Sequence, residues 1–102
     1  MDGRCDVCGK SGKIYVAAST MGPVSFAYCE QCLANGAEPY QAMVSYVACA
    51  GHFPNDINKQ YQDVVRSILR YLGKTESEFI SDVDRCIKSM DSISKSYVEE
   101  QE

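Results

Sequence analysis

The chain has 102 residues, 45% of them hydrophobic and 24% charged, with a formal charge of −4. That is a globular composition, and the length allows one ordinary domain or a metal knot beside one small core. No apolar run approaches the ~20 residues needed to cross a bilayer, and residues 1–20 lack the basic start and apolar core of a secretory signal, so the expected setting is cytoplasmic, away from any membrane.

Cys5 to Gly9 reads as a tight knuckle, with Gly9 tolerating the bend just after Cys8. Ile14, Tyr15 and Val16 form a strand candidate. After a turn-rich stretch from Ser19 to Pro23, residues 24–28 make a second strand that alternates in part, so the two should pair as a hairpin. Cys29 to Asn35 suits one or two helical turns, which Gly36 interrupts.

Three further helices are expected. The first begins near Glu38-Pro39, where proline suits a first turn, and ends at Gly51. Its residues 40–50 carry no charge, so much of its surface should be buried. Asn55 or Asp56 can cap the second, whose apolar stripe is Ile57, Tyr61, Val64, Val65, Ile68 and Leu72, with Gly73 as its stop. Thr75 to Glu78 matches a capping box. The last helix then carries Phe79, Val83, Cys86, Met90, Ile93 and Tyr97 in a heptad-like seam that Ile80 and Ile87 widen. It should run from 76 to about 98, roughly 35 Å. The acidic end, residues 99–102, should fray because negative charge at a helix C-terminus is unfavourable.

The chemistry lies in two matched pairs, Cys5-Asp6-Val7-Cys8 and Cys29-Glu30-Gln31-Cys32, twenty residues apart. Paired Cys-x-x-Cys spacing is a metal signature rather than a disulfide framework. Four sulfurs fill the tetrahedral shell of one zinc and leave no position for water, so the site is structural rather than catalytic. Iron in the same four-sulfur shell is the minor alternative. Cys29 and Cys32 would also sit at a helix N-terminus, whose free N–H groups favour thiolate.

The order of knuckle, hairpin and helix-opening Cys-x-x-Cys, carried by Cys5-x-x-Cys8-Gly9 and Tyr28-Cys29-x-x-Cys32, resembles a treble-clef zinc finger over about residues 3–36. A zinc ribbon, whose second pair sits on another knuckle, is the nearest competitor, and the Glu30-Gln31-Leu33-Ala34 context favours the helix. Joined to the helices read from periodicity, this predicts an α+β chain: a four-cysteine treble-clef module at 1–36, as the resemblance implies, then a three-helix region at 37–98 packed on it and ending in a long amphipathic helix, and an acidic tail at 99–102, the last two beyond the reach of the resemblance. Treble clefs serve many functions, so the resemblance does not select one.

Catalytic patterns are missing from the sequence. A zinc deaminase needs His-x-Glu before Pro-Cys-x-x-Cys, and the chain has one histidine, His52. Asp82 and Asp84 lie two apart on a helix and point in different directions, as a solvated acidic face would. Cys49 and Cys86 read as buried thiols in apolar helical patterns, and a second metal site with His52 would lack a fourth ligand. No catalytic or cofactor-binding residue is therefore expected beyond the zinc ligands.

Charge guides the partner. Residues 1–36 balance three bases against three acids, whereas residues 76–102 carry three bases and eight acids. Zinc on four thiolates takes the whole chain to about −6. A nucleic-acid-binding regulatory finger, resting on Arg4, Lys10, Lys13 and the Arg66, Arg70, Lys74 set, is the weaker reading because the finger has no basic excess. A protein-binding adaptor or inhibitor fits better. Glu76, Glu78, Asp82, Asp84 and Asp91 offer an acidic face to a partner with a basic surface, and the last seam is suited to a homodimer.

Overall fold

The computed structural model describes the backbone from Met1 to Gln101 and the side chains through Asp91. Three antiparallel strands, β1 (Asp2–Arg4), β2 (Ser11–Ala18) and β3 (Ser25–Cys29), form a sheet in the order β1-β2-β3. The expected hairpin is β2–β3, with Tyr15 opposite Tyr28 and Ala17 opposite Phe26. β1 has no counterpart in the sequence reading. Its Asp-Gly-Arg sequence is exposed throughout and carries no alternation, and it takes its place by pairing Asp2–Arg4 with Lys13–Ser11 across the knuckle.

Four helices follow: α1 (Glu30–Ala34), α2 (Tyr40–Ala50), α3 (Lys59–Leu72) and α4 (Glu76–Gln101). This is the expected α+β architecture, a cysteine-bearing hairpin and then a helical region with a long final helix. Local capping departs from the sequence reading. Pro39 stands just outside α2 at the N-cap, and its carbonyl accepts the Met43 N–H at 3.1 Å. Asn58, not Asn55 or Asp56, caps α3, its side chain accepting the Tyr61 N–H at 2.8 Å. The Asp56 carboxylate instead accepts the His52 N–H at 2.9 Å and so tightens the bend between α2 and α3. Gly73, with φ of 73°, closes α3 in the left-handed region. Thr75 Oγ1 accepts the Glu78 N–H at 3.1 Å, the expected half of a capping box.

The main core lies among the helices. Met43, Val44 and Val47 of α2 meet Val65, Ile68 and Leu69 of α3 and Phe79 and Val83 of α4. Phe53, in the bend, stacks edge-on against Phe79 with centroids 5.1 Å apart. Met21 reaches this core from the β2–β3 turn. Of the predicted seam on α4, Phe79 and Val83 are fully buried and Cys86 and Met90 half-buried, while Ile93 and Tyr97 lie outside the described side chains, as does the acidic tail. Two predicted core positions are exposed instead. Val64 sits on the outer face of α3 and Cys49 on the outer face of α2, where uncharged neighbours had suggested burial.

A buried carboxylate joins the sheet to the helices. Glu38 is 4% exposed and faces no cation among the described residues. Its Oε2 accepts hydroxyls from Tyr28 at 2.7 Å and Ser19 at 2.9 Å, and its Oε1 accepts the Thr20 hydroxyl at 3.2 Å and the Thr20 N–H at 3.3 Å. A buried acid is tolerable when donors fill its oxygens. Glu38 thus pins the β2–β3 turn and β3 to the entrance of α2.

Candidate metal centre

The knuckle begins with β1 and is closed by backbone bonds, Cys5 N–H to Lys10 O and Gly9 N–H to Cys5 O, both 3.0 Å. Gly9 takes φ of 79°, a conformation that L side chains rarely adopt. Asp6 then fastens the knuckle to β3: its N–H donates to Ala27 O at 2.8 Å, and the Ala27 N–H donates back to Asp6 Oδ2 at 2.7 Å. This clamp brings the first cysteine pair to the second. Cys29 ends β3 and occupies the N-cap of α1, and Cys32 lies within α1. The second pair therefore opens a helix, and residues 3–36 form a treble-clef-like finger.

The Sγ atoms of Cys5, Cys8, Cys29 and Cys32 all lie within 4.8 Å of one another. Sulfurs held by a tetrahedral zinc at about 2.3 Å sit about 3.8 Å apart. Cys8 Sγ and Cys29 Sγ are 3.8 Å apart. The donor set, the spacing and the convergence all fit one structural zinc on four thiolates. Cys5 and Cys32 are buried and Cys8 is exposed, so the cluster has a dry side and a wet side.

The local field differs from sulfur to sulfur. Burial pushes the Cys5 thiol up, but hydrogen bonds from backbone N–H groups of Cys8, Cys29 and Val7 prevail and bring it down to about 6. Burial pushes the Cys32 thiol up to about 12, with neighbouring sulfurs adding to the rise and the Tyr71 hydroxyl opposing it. A coordinated zinc deprotonates its thiols outright and so overrides this contrast. The hydrogen bond to Cys32 also pushes the Tyr71 phenol up to about 12.

Tyr71 is a residue that sequence reasoning misses. It lies in the last turn of α3, and its hydroxyl is 3.3 Å from Cys32 Sγ. Its side chain packs in a small cluster with Cys5, Cys32, Ala37, Val7 and Cys29, apart from the helical core. Nothing in the spacing of α3 distinguishes this tyrosine from its neighbours; only the tertiary fold brings it to the sulfurs.

The other singled-out residues are dispersed or paired. Among the described residues, Cys49, His52 and Cys86 do not gather into a metal-binding group. His52 Nδ1 instead meets Asp84 Oδ1 at 2.8 Å. Asp82 pairs with Arg85 at 3.3 Å and accepts the Tyr40 hydroxyl, and Glu76 pairs with Arg66 at 2.9 Å. Three of the five acids of the expected face thus have partners within the chain; the ion pairs among them are at least partly exposed and contribute little to stability. Of the Arg66, Arg70, Lys74 set, Arg66 lies against Glu76 and the Lys74 ammonium is 4.9 Å from the Tyr40 ring centre.

A groove of about 660 Å³ runs between β3 and α2. Val24, Phe26, Pro39, Ala42 and Tyr46 supply its apolar lining, and its one charged residue is Asp6. No described helix is long and apolar enough to cross a membrane. In comparisons with known proteins, no family model, no curated protein and no solved structure matches this chain.

Proposed function

We propose that this chain is a non-enzymatic, zinc-stabilised protein-interaction module, an adaptor or regulator working in the cytoplasm. The zinc shell supports the non-catalytic part of the reading: four sulfurs complete a tetrahedron and leave no position for substrate or water. Four cysteines held as zinc thiolates suit a reducing compartment.

The observation that carries the interaction reading is the groove between β3 and α2. Val24, one of its lining residues, is 39% exposed. An exposed apolar groove with a polar edge is the usual form of a protein-recognition site. The occupant we assign is a segment of a partner protein that presents an apolar side chain beside a lysine or arginine. The apolar side chain matches Phe26, Ala42 and Tyr46. The cation matches Asp6, whose Oδ1 is not used by the clamp to Ala27, and the net negative charge of the chain. The acids of α4 would steer such a partner rather than anchor it.

A peptide display selection against the full zinc-loaded chain tests this. Selected peptides should carry the apolar-basic pair and should lose binding to Ala42→Glu, which puts a charge in the groove lining. Peptides that bind Ala42→Glu as well as the parent would rule out the groove. Native mass spectrometry on the same preparation reads zinc count, oligomer state and any salt-removable oligonucleotide. Copurified oligonucleotide would instead support the nucleic-acid reading, and a concentration-dependent dimer would support self-association.

A further inference from the structure

The hydroxyl that meets Cys32 comes from outside the zinc finger. Tyr71 is separated from Cys32 by 39 positions and belongs to α3, whose other inward residues, Val65, Ile68 and Leu69, face the helical core. Consecutive residues of α3 enter different clusters: Tyr71 packs with the cysteines, and Leu72 packs with the helical core. Cys32 is 0% exposed, so water does not reach its sulfur, and Tyr71 supplies the side-chain hydroxyl that does. A zinc-bound thiolate carries no proton and can only accept. In the metal-bound state the phenol must therefore be the donor.

We propose that Tyr71 is a positioning residue of the zinc centre: its phenol donates to the Cys32 thiolate, and this bond links metal binding to the docking of α3. Hydrogen bonds to an ionised acceptor are the stronger kind. Partners of this sort orient a metal's ligands, and losing one typically weakens metal binding 10–100-fold. Linkage makes the effect reciprocal. If docked α3 strengthens zinc binding, bound zinc stabilises docked α3 by the same factor. Zinc then governs the helical region as well as the finger, although all four of its ligands lie before residue 33.

The test uses the full chain with cobalt in place of zinc and the variant Tyr71→Phe, which removes one oxygen and keeps the ring in its cluster. The sulfur-to-cobalt charge-transfer band should move to lower energy, because a thiolate that loses a hydrogen bond holds its electrons less tightly. Zinc affinity, read by chelator competition, should fall about tenfold. Leu72→Ala is the control, since it loosens α3 on its core side without touching sulfur, and it should leave the band in place. An unchanged band and unchanged affinity in Tyr71→Phe overturn the proposal, as does an equal band shift in Leu72→Ala, which would assign the shift to packing. Should Tyr71→Phe take up no cobalt, amide exchange of the parent chain decides. Protection of residues 69–72 should fall when zinc is stripped, and protection indifferent to zinc overturns the linkage.

Discussion

Asp6 and Ala27 hold each other at two points, N–H to carbonyl in one direction at 2.8 Å and N–H to carboxylate in the other at 2.7 Å. The contact ties the knuckle to the strand that ends in Cys29, so the two cysteine pairs converge through a residue that is not itself a ligand. It also occupies the outer edge of β3, where a free N–H and C=O would otherwise invite another strand.

Asp6→Ala should therefore weaken the metal centre without removing a sulfur. One of the two bonds survives, because the Asp6 N–H does not depend on the side chain. The lost bond is charge-assisted but exposed, so a cost near 1 kcal/mol is expected. The readout is zinc affinity by chelator competition, which should fall by roughly five- to tenfold. An affinity equal to that of the parent would show that the cysteine pairs find each other without the clamp.

Glu38 should be the most sensitive polar position in the chain. Glu38→Ala strips the acceptor from three hydroxyls and one N–H, and partial solvation of these groups limits the loss to about 3 kcal/mol. Glu38→Gln keeps one acceptor oxygen, and the hydroxyls can turn to accept from the new amide, so about 1 kcal/mol is expected. Denaturant melts of the two variants should separate accordingly. Glu38→Ala within about 0.5 kcal/mol of the parent would contradict the role given to this hub.

The metal itself should be decisive for the first third of the chain. Cys29→Ser removes a ligand and also disturbs the β3–α1 junction, where Cys29 is both strand end and helix N-cap. Residues 1–36 at least should unfold, because apart from the ligands Cys5 and Cys32 the buried hydrophobic residues of the finger are Ile14, Met21 and Tyr28, too few for a core without metal. Circular dichroism of the variant should show lost strand signal, and a native-like spectrum without bound metal would defeat this expectation.

How far the sequence reveals these features follows from the range of each interaction. The cysteine pairs are legible because ligand spacing is local chemistry, and the α3 and α4 stripes because helical burial leaves a period. β1 leaves no trace, since an exposed three-residue strand has no pattern of its own. Glu38 reads as part of a helix start because proline follows it; its burial depends on Ser19, Thr20 and Tyr28, at least ten positions away. Cys49 reads as buried because its neighbours lack charge, yet α2 buries only one side, and small uncharged residues are equally at home on the other. Tyr71 and Asp6 act through contacts 39 and 21 positions apart, which no periodicity encodes.

Alkaline unfolding should be sensitive to Tyr40. Its ring packs edge-on to Phe79 with centroids 6.1 Å apart, and its hydroxyl donates to Asp82 Oδ2. Burial and then the Asp82 carboxylate push its phenol well above the usual range. The folded state thus favours the protonated phenol more than the unfolded chain does. That contribution is fully present below the unfolded value, about 10, and is lost as pH rises through the elevated folded value. Stability measured in urea should be flat in this respect up to about pH 9 and should decline beyond it. Tyr40→Phe keeps the ring against Phe79 and removes the titrating oxygen, so its alkaline decline should be shallower than that of the parent. At neutral pH the variant should be weaker by about 1.5 kcal/mol, the low end of the range for a hydrogen bond to a charged partner. Identical alkaline slopes for parent and variant would remove Tyr40 from the titration and leave the decline to other buried phenols, of which Tyr61 is also raised by burial.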